Sequence, residues 1–307
     1  MTQLNYSHTI IIFVLIAFLV ITLAFDVESR KAAADGTVFP AGQDLLTAQG
    51  TNSVEFRGIS FSYNEGLQTE VVPEETKAIP LDKSDDKPDS ASPKHILFHF
   101  KGAYGDKFEG AFFSPAIHVY LIERYKEVLH FSTSELTSFE GRLTYLRDVL
   151  EKEQTAFTAD APFVEFVDAE HAFIAKIRYI RFGNGRGILY LTQFNREKSL
   201  VNNKGLTYVF QGLTDDGKYY ISATFPVSSN LLVESYEETR SKFYTLPEYA
   251  YGGNEDEDKK NAAEYKQYLK EIGAELDASP PNTFMPHLQY FDEIIKSLRL
   301  DPPNKSD

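Results

Sequence analysis

Between residues 171 and 227 the chain reads HAFIAKIRYIRFGNGRGILYLTQFNREKSLVNNKGLTYVFQGLTDDGKYYISATFPV. Four runs rich in β-branched and aromatic residues are separated by Phe182-Gly183-Asn184-Gly185-Arg186-Gly187 and by Asp215-Asp216-Gly217-Lys218. Alternation over such runs, with Asn-Gly and Asp-Gly between them, predicts strands joined by tight turns. A sheet over 171–227 is therefore the expected centre of the fold. In its first run Phe173, Ala175, Ile177 and Tyr179 share one face, and Lys176 and Arg178 lie opposite with Ile174 and Ile180. Neither face is purely polar, so the sheet is covered on both sides or carries one amphipathic outer face. Pro226 stops the fourth run because it cannot donate to a strand ladder.

The elements around this block read in order. Residues 53–63 fit a strand with an irregularity near Gly58, and 67–72 read as a strand or a short helix. Strands are expected at 95–100, 116–121 and 163–167. Helices are expected at 122–129 and at 134–153, where Leu136, Phe139, Leu143, Leu146 and Leu150 recur at helical spacing behind a capping Ser134. Residues 228–241 read as a helix with an acidic face (Glu234, Glu237, Glu238). Two further helices, about 259–277 and 285–299, flank Pro280-Pro281; the second carries an apolar stripe of Leu288, Phe291, Ile294, Ile295 and Leu298. The expected class is α+β, an antiparallel sheet packed against helices, preceded by an N-terminal transmembrane or signal helix.

That N-terminal helix is residues 9–25, seventeen residues without a charge. They would span roughly 25 Å as a helix, at the short end for a bilayer and longer than a usual signal-peptide core. As a cleaved signal the cuts fall after Ala24, which lacks a small pair, or after Ala32-Ala33-Ala34, which places Asp26, Glu28, Arg30 and Lys31 in a region normally uncharged. As a retained anchor its orientation is poorly specified: the preceding flank has no Lys or Arg, and Arg30 and Lys31 follow the run. The leading reading is a single anchor with an extracytoplasmic body, and the alternative is secretion after cleavage. The expected organisation is a flank at 1–8, the anchor at 9–25 and a linker at 26–52. An α+β domain follows at 53–245 with a mobile, proline- and charge-rich loop at 73–94. A C-terminal helical extension at 246–300 packs on it, and 301–307 is a tail.

Composition narrows the chemistry. The net charge of −14 argues against nucleic acid, whose phosphates need a basic surface. With no cysteine in 307 residues, disulfides, thiolate catalysis, Cys zinc sites and a lipid-modified cysteine are excluded. His95 and His99 have metal-like spacing, but on a strand they stand roughly 13 Å apart. His118, His130 and His171 show no chelating spacing, and His287 follows a proline at a helix start. The run Glu255-Asp256-Glu257-Asp258 lacks the glycine and distal glutamate of a calcium loop and suits a helix N-terminus. The glycines at 183, 185 and 187 sit between strands, whereas a phosphate cradle needs a following helix, so a hairpin turn is expected. No Gly-x-Ser-x-Gly elbow occurs, nor a Ser-x-x-Lys with its companion motifs. Tyr190, Phe194, Tyr208, Phe210, Tyr219, Tyr220 and Phe225 offer a ligand-binding face or, in the plainer reading, core and cross-strand pairs. No catalytic, cofactor-binding or metal-binding residue is identified.

Three segments, Gly187–Phe194 (GILYLTQF), Asn202-Asn203 and Tyr208–Tyr220 (YVFQGLTDDGKYY), resemble a pattern in uncharacterised bacterial extracytoplasmic proteins, many of them lipoprotein-like. The chain departs from the lipoprotein members in having no cysteine, so an apolar anchor would replace the lipid. The order of elements is also similar, faintly, to PsbP-like domains. The resemblance implies no activity. The function expected is a membrane-anchored extracytoplasmic binding or accessory domain for an envelope protein or small ligand. The alternatives are a hydrolase-like envelope enzyme with a site assembled from sequence-distant residues, and a structural envelope component.

Overall fold

A computed structural model describes residues 50–79, 91–102, 108–129, 133–157, 161–246 and 255–301. The apolar run at 9–25, the linker up to residue 49, His130, the interior of the 73–94 loop (80–90) and the tail from 302 lie outside the described residues. No helix among the described residues is long and apolar enough to cross a membrane.

Two strands, β1 (Thr51–Phe56) and β2 (Ile59–Asn64), form an antiparallel hairpin where the sequence suggests one irregular strand. The reason lies in Arg57-Gly58, whose φ values of 54° and 75° are those a two-residue type I′ turn needs. The ambiguous 67–72 region divides: a single 3-10 turn at Glu65–Leu67 gives way to β3 (Glu70–Glu75). The expected loop at 73–94 thus begins inside a strand, with Pro73 facing Phe98 of β4 (Ile96–Lys101). Ile79 and Ser92 bridge its two ends.

β5 (Ala116–Leu121) runs directly into α1 (Ile122–Leu129), and α2 (Thr133–Lys152) follows within a residue of the expected span. Residues 163–167 do not form a strand; the Val164 amide donates to the Gln211 side chain instead of to a neighbouring ladder. After the two-residue β6 (Glu170–His171) comes the expected meander: β7 (Ala175–Phe182), β8 (Gly185–Asn195), β9 (Leu206–Thr214) and β10 (Tyr219–Pro226). The Asp-Gly turn holds because Asp216 accepts from Thr214 Oγ1 (2.7 Å) and the Lys218 amide (3.0 Å), with Gly217 at φ +68°. Residues 228–241 are not the expected helix. After β11 (Ser228–Ser229), the Asn203 side chain accepts from the Ser229 amide and donates to Glu234, which ties this stretch into turns. The chain ends with α3 (Glu255–Ala278), β12 (Phe284–Met285), α4 (Leu288–Ser297) and β13 (Arg299–Leu300). The acidic run 255–258 is the first turn of α3, where negative charge suits the helix dipole.

The main sheet has eight strands, ordered β3-β4-β5-β10-β9-β8-β6, with β7 also paired to β8, all antiparallel. It is covered on both sides, which explains why no strand of the meander has a polar face. On one side Tyr120, Tyr220, Val209 and Ile188 meet α1 and α2, where Tyr125 stacks on Phe139 at 4.5 Å. On the other, Phe98 meets Phe61 of β2 at 5.1 Å and Phe225 stacks on Phe291 of α4 at 4.3 Å. All nine residues of β9 are buried.

One strand departs from simple alternation. The register of β7 shifts between Ala175 and Arg178, with Lys176 at φ 55°. The bulge puts Ala175, Arg178, Ile180 and Phe182 on one face and Ile177 and Tyr179 on the other. The expected grouping of Ala175 with Ile177 and Tyr179 is therefore wrong, because an inserted residue breaks the period of two.

Candidate functional site

Strand pairing gathers a set of polar side chains in the core beneath α1 and α2. In the β5–β10 ladder His118 faces Ser222 and Tyr120 faces Tyr220; in the β10–β9 ladder Ser222 faces Gln211. Residues as few as two and as many as 104 positions apart in the chain thereby share one face of three strands. Into this face the 161–167 segment inserts Glu165. Its carboxylate accepts from Tyr120 (2.5 Å) and from Ser222 (2.5 Å), and its backbone carbonyl accepts from Arg142 of α2 (2.7 Å). The Arg142 guanidinium also lies over the Phe166 ring at 4.8 Å.

The proton positions follow from the acceptors. The Pro93 carbonyl, which can only accept, lies 2.8 Å from His95 Nδ1, so that nitrogen carries the hydrogen. In neutral His95 the Nε2 is then an acceptor, and His118 Nδ1 at 3.0 Å is its donor. His118 Nδ1 is also 3.2 Å from the Tyr120 oxygen, whose own hydrogen goes to Glu165. From the other side Tyr220 donates to Gln211 (2.6 Å), and Gln211 donates to Ser222 (3.0 Å). Both chains of donors converge on Glu165.

The electrostatics agree with neutral histidines. Burial pushes His95 and His118 down to about 4, against a partial opposite pull on His95 from the Pro93 carbonyl. Burial raises Glu165 above the usual carboxylate range, and the Ser222 and Tyr120 hydrogen bonds pull it part of the way back. Burial likewise raises Tyr120 and Tyr220 well above the ordinary phenol value. Ser222 and Gln211 have no solvent exposure. Ser222 is therefore a hydroxyl held on a carboxylate inside the core. A nucleophile must meet a substrate, and this one faces α1 and α2.

An open groove lies elsewhere. A groove of about 680 Å³ lies between β6, the end of β8 and α3, lined by Asp168, Glu170, His171, Asn195, Arg196 and Tyr265 among others. β6 ends the sheet order. The Tyr265 hydroxyl fixes one wall: it donates to the Ser199 carbonyl (2.8 Å) and accepts from the Asn195 side chain (3.2 Å). His171 forms the floor, its ring 4.4 Å from Phe194, and burial pushes its pKa down to about 4. Asp168 and Arg196 stand 3.8 Å apart at the rim.

His95 and His99 are not brought together; His99 faces Glu74 at 3.1 Å, while His95 pairs with His118. His287 stacks on Tyr290 at 5.7 Å. Among the described residues no three metal-ligating side chains converge. Gly183 and Asn184 are the β7–β8 turn, and they hydrogen-bond to Leu298 and Leu300, not to a ligand cradle. Tyr190, Phe194, Tyr208, Phe210, Tyr220 and Phe225 are core residues. Glu165, Ser222 and Gln211 are the functional-looking residues that sequence reasoning missed. The only available signal is that alternation sets Tyr220 with Ser222 and His118 with Tyr120; their meeting depends on a β5–β10 pairing that spans the chain. No family model matches this chain, and neither curated proteins nor solved structures provide a match.

Proposed function

We propose that this protein is a binding domain, tethered at a membrane by residues 9–25 with an extracytoplasmic body, that takes an extended polypeptide segment of an envelope partner. The observation that carries the reading is the groove beside β6. It lies at the terminal strand of an eight-stranded sheet, and a terminal strand presents backbone groups to an incoming strand. Its walls suit a main chain with mixed side chains. Asp168, Glu170 and Glu197 with Arg196 and Lys198 supply charges of both signs, and Val167, Ala172 and Leu269 supply apolar lining. The placement at a membrane is carried by the uncharged run at 9–25 alone.

The test uses the full chain in cells, with a photo-crosslinking residue at position 196 or 198 in the groove, and at position 94 far from it. Adducts confined to the groove positions, and lost in Ala172→Trp, which fills the groove, support the reading. Equal adducts from position 94, or adducts that survive Ala172→Trp, overturn it. Fractionation of the same cells with external protease tests the placement: a body that stays protected when the envelope is opened excludes an extracytoplasmic location.

A further inference from the structure

At the opposite end of the meander from the groove, three arginines line one cleft together with Leu150 and Leu213. Arg181 is the penultimate residue of β7 and Arg186 the second of β8, and the two are directly opposite in the ladder. Arg147 reaches the same place from α2. Together with Leu150, Leu213, Thr214 and Gly217 they line a cleft of about 360 Å³. Like charges placed directly across a sheet destabilise it. Here the pair persists in a chain whose net charge is −14, where a carboxylate would be the commoner neighbour. Asp215 stands 3.7 Å from Arg181, beyond hydrogen-bond distance. Among the described residues, no carboxylate lies within ion-pair distance of Arg147 or Arg186.

We infer that this cleft is a binding site for a small phosphate-bearing ligand. The cleft has three guanidinium groups against two carboxylates, Glu151 and Asp215, so it carries a local positive excess. Leucine walls of low dielectric concentrate that field. Three forked donors arriving from a helix and two strands match the three free oxygens of a phosphate monoester, whereas a carboxylate offers only two. The volume lies at the lower end of small-molecule sites, enough for a phosphate with a short polar body. The site is independent of the polypeptide groove: neither reading requires the other.

The experiment is calorimetric titration of the full chain, in detergent and at low ionic strength, with inorganic phosphate, glycerol 3-phosphate and acetate. Saturable binding of both phosphates is expected, at least tenfold tighter than acetate, and weakened at least tenfold in Arg186→Gln and Arg147→Gln but not in Arg196→Gln, which lies in the other groove. The melting temperature of ligand-free Arg186→Gln should equal or exceed that of the parent, since a repulsion is removed. No saturable binding, equal affinity for acetate, or equal loss in Arg196→Gln overturns the site. A clear drop in melting temperature in Arg186→Gln would assign that arginine to the fold and overturn it too.

Discussion

Arg178 reaches Asp292 because the chain bulges two residues earlier. With strict alternation from Ala175, Arg178 would point toward α1 and α2; the irregularity at Lys176 turns it to the face on which α4 packs. There it donates to the Asp292 carboxylate, which is almost completely buried and also accepts from Tyr208 at 3.1 Å. Burial raises the Asp292 pKa, and Arg178 pulls it back. Arg178→Ala leaves a buried carboxylate with only a phenol for company. A loss of about 3 kcal/mol is expected by urea denaturation, whereas the double replacement Arg178→Met with Asp292→Leu should stay within about 1 kcal/mol of the parent. Equal losses in the single and double variants would show that the pair is not coupled.

The two core histidines make stability depend on pH. Their folded pKa of about 4 lies below the ordinary value of 6.5, so the unfolded chain takes up protons that the folded chain refuses. Stability from this source is present above about pH 6.5 and is lost as pH falls toward 4, by roughly 3 kcal/mol for His95. Glu165 acts in the opposite sense: its raised folded pKa favours the folded state in acid, and this contribution is lost as pH rises through that pKa. Nitrogen NMR of the imidazoles checks both parts. It should find His118 protonated at Nδ1 and neither ring titrating near 6.5.

Removing the acceptor at the network's centre strands its donors. Glu165→Ala leaves the Tyr120 and Ser222 hydroxyls without their common partner in the core and should cost roughly 3 kcal/mol. Glu165→Gln retains one oxygen acceptor and removes a buried charge, so about 1 kcal/mol is expected. Chemical denaturation at pH 7 of the two variants gives the comparison; a Gln variant as unstable as the Ala variant would mean that the charge itself is needed.

Two glycines of the meander should respond differently to alanine. A Cβ at Gly187 would lie 2.3 Å from the Phe210 ring and 2.7 Å from the Gln211 carbonyl, and both neighbours are packed in the sheet. Gly187→Ala should destabilise by about 1–3 kcal/mol through overpacking. At Gly217 the added carbon meets open space, and only the φ of +68° opposes it, at about 1 kcal/mol. Thermal melts of both variants test the order.

Much of this architecture is legible before any coordinates. The meander from 175 to 226, its Asp-Gly turn, β5 and the helix after it follow from periods of two and 3.6 and from turn chemistry, because each is decided by neighbours in sequence. What escapes is decided by contacts at long range. The stretch 228–241 has helical spacing, but Asn203 competes for its backbone. The β7 bulge leaves no mark in composition. Glu165 and Ser222 are 57 positions apart and meet only when 161–167 lies over the β9–β10 pair. The groove is equally distant in origin, since α3 brings Tyr265 to residues 195 and 199.

The closing strand sets an order on biosynthesis. β2 has β1 on one side and β13 on the other, Ile59 facing Leu300, and the Ser62 amide donates to the Ser297 hydroxyl 235 positions later. At typical ribosomal speeds of about 5–20 residues per second, that separation is roughly 10–50 seconds of translation. Through that interval the N-terminal hairpin has emerged with one flank unsatisfied and Phe61 still without the helix that will seal its side of the sheet. The last residues of the domain to be made are thus the ones that shut it, and a nascent chain released early would display an open strand edge to whatever factor waits at the exit.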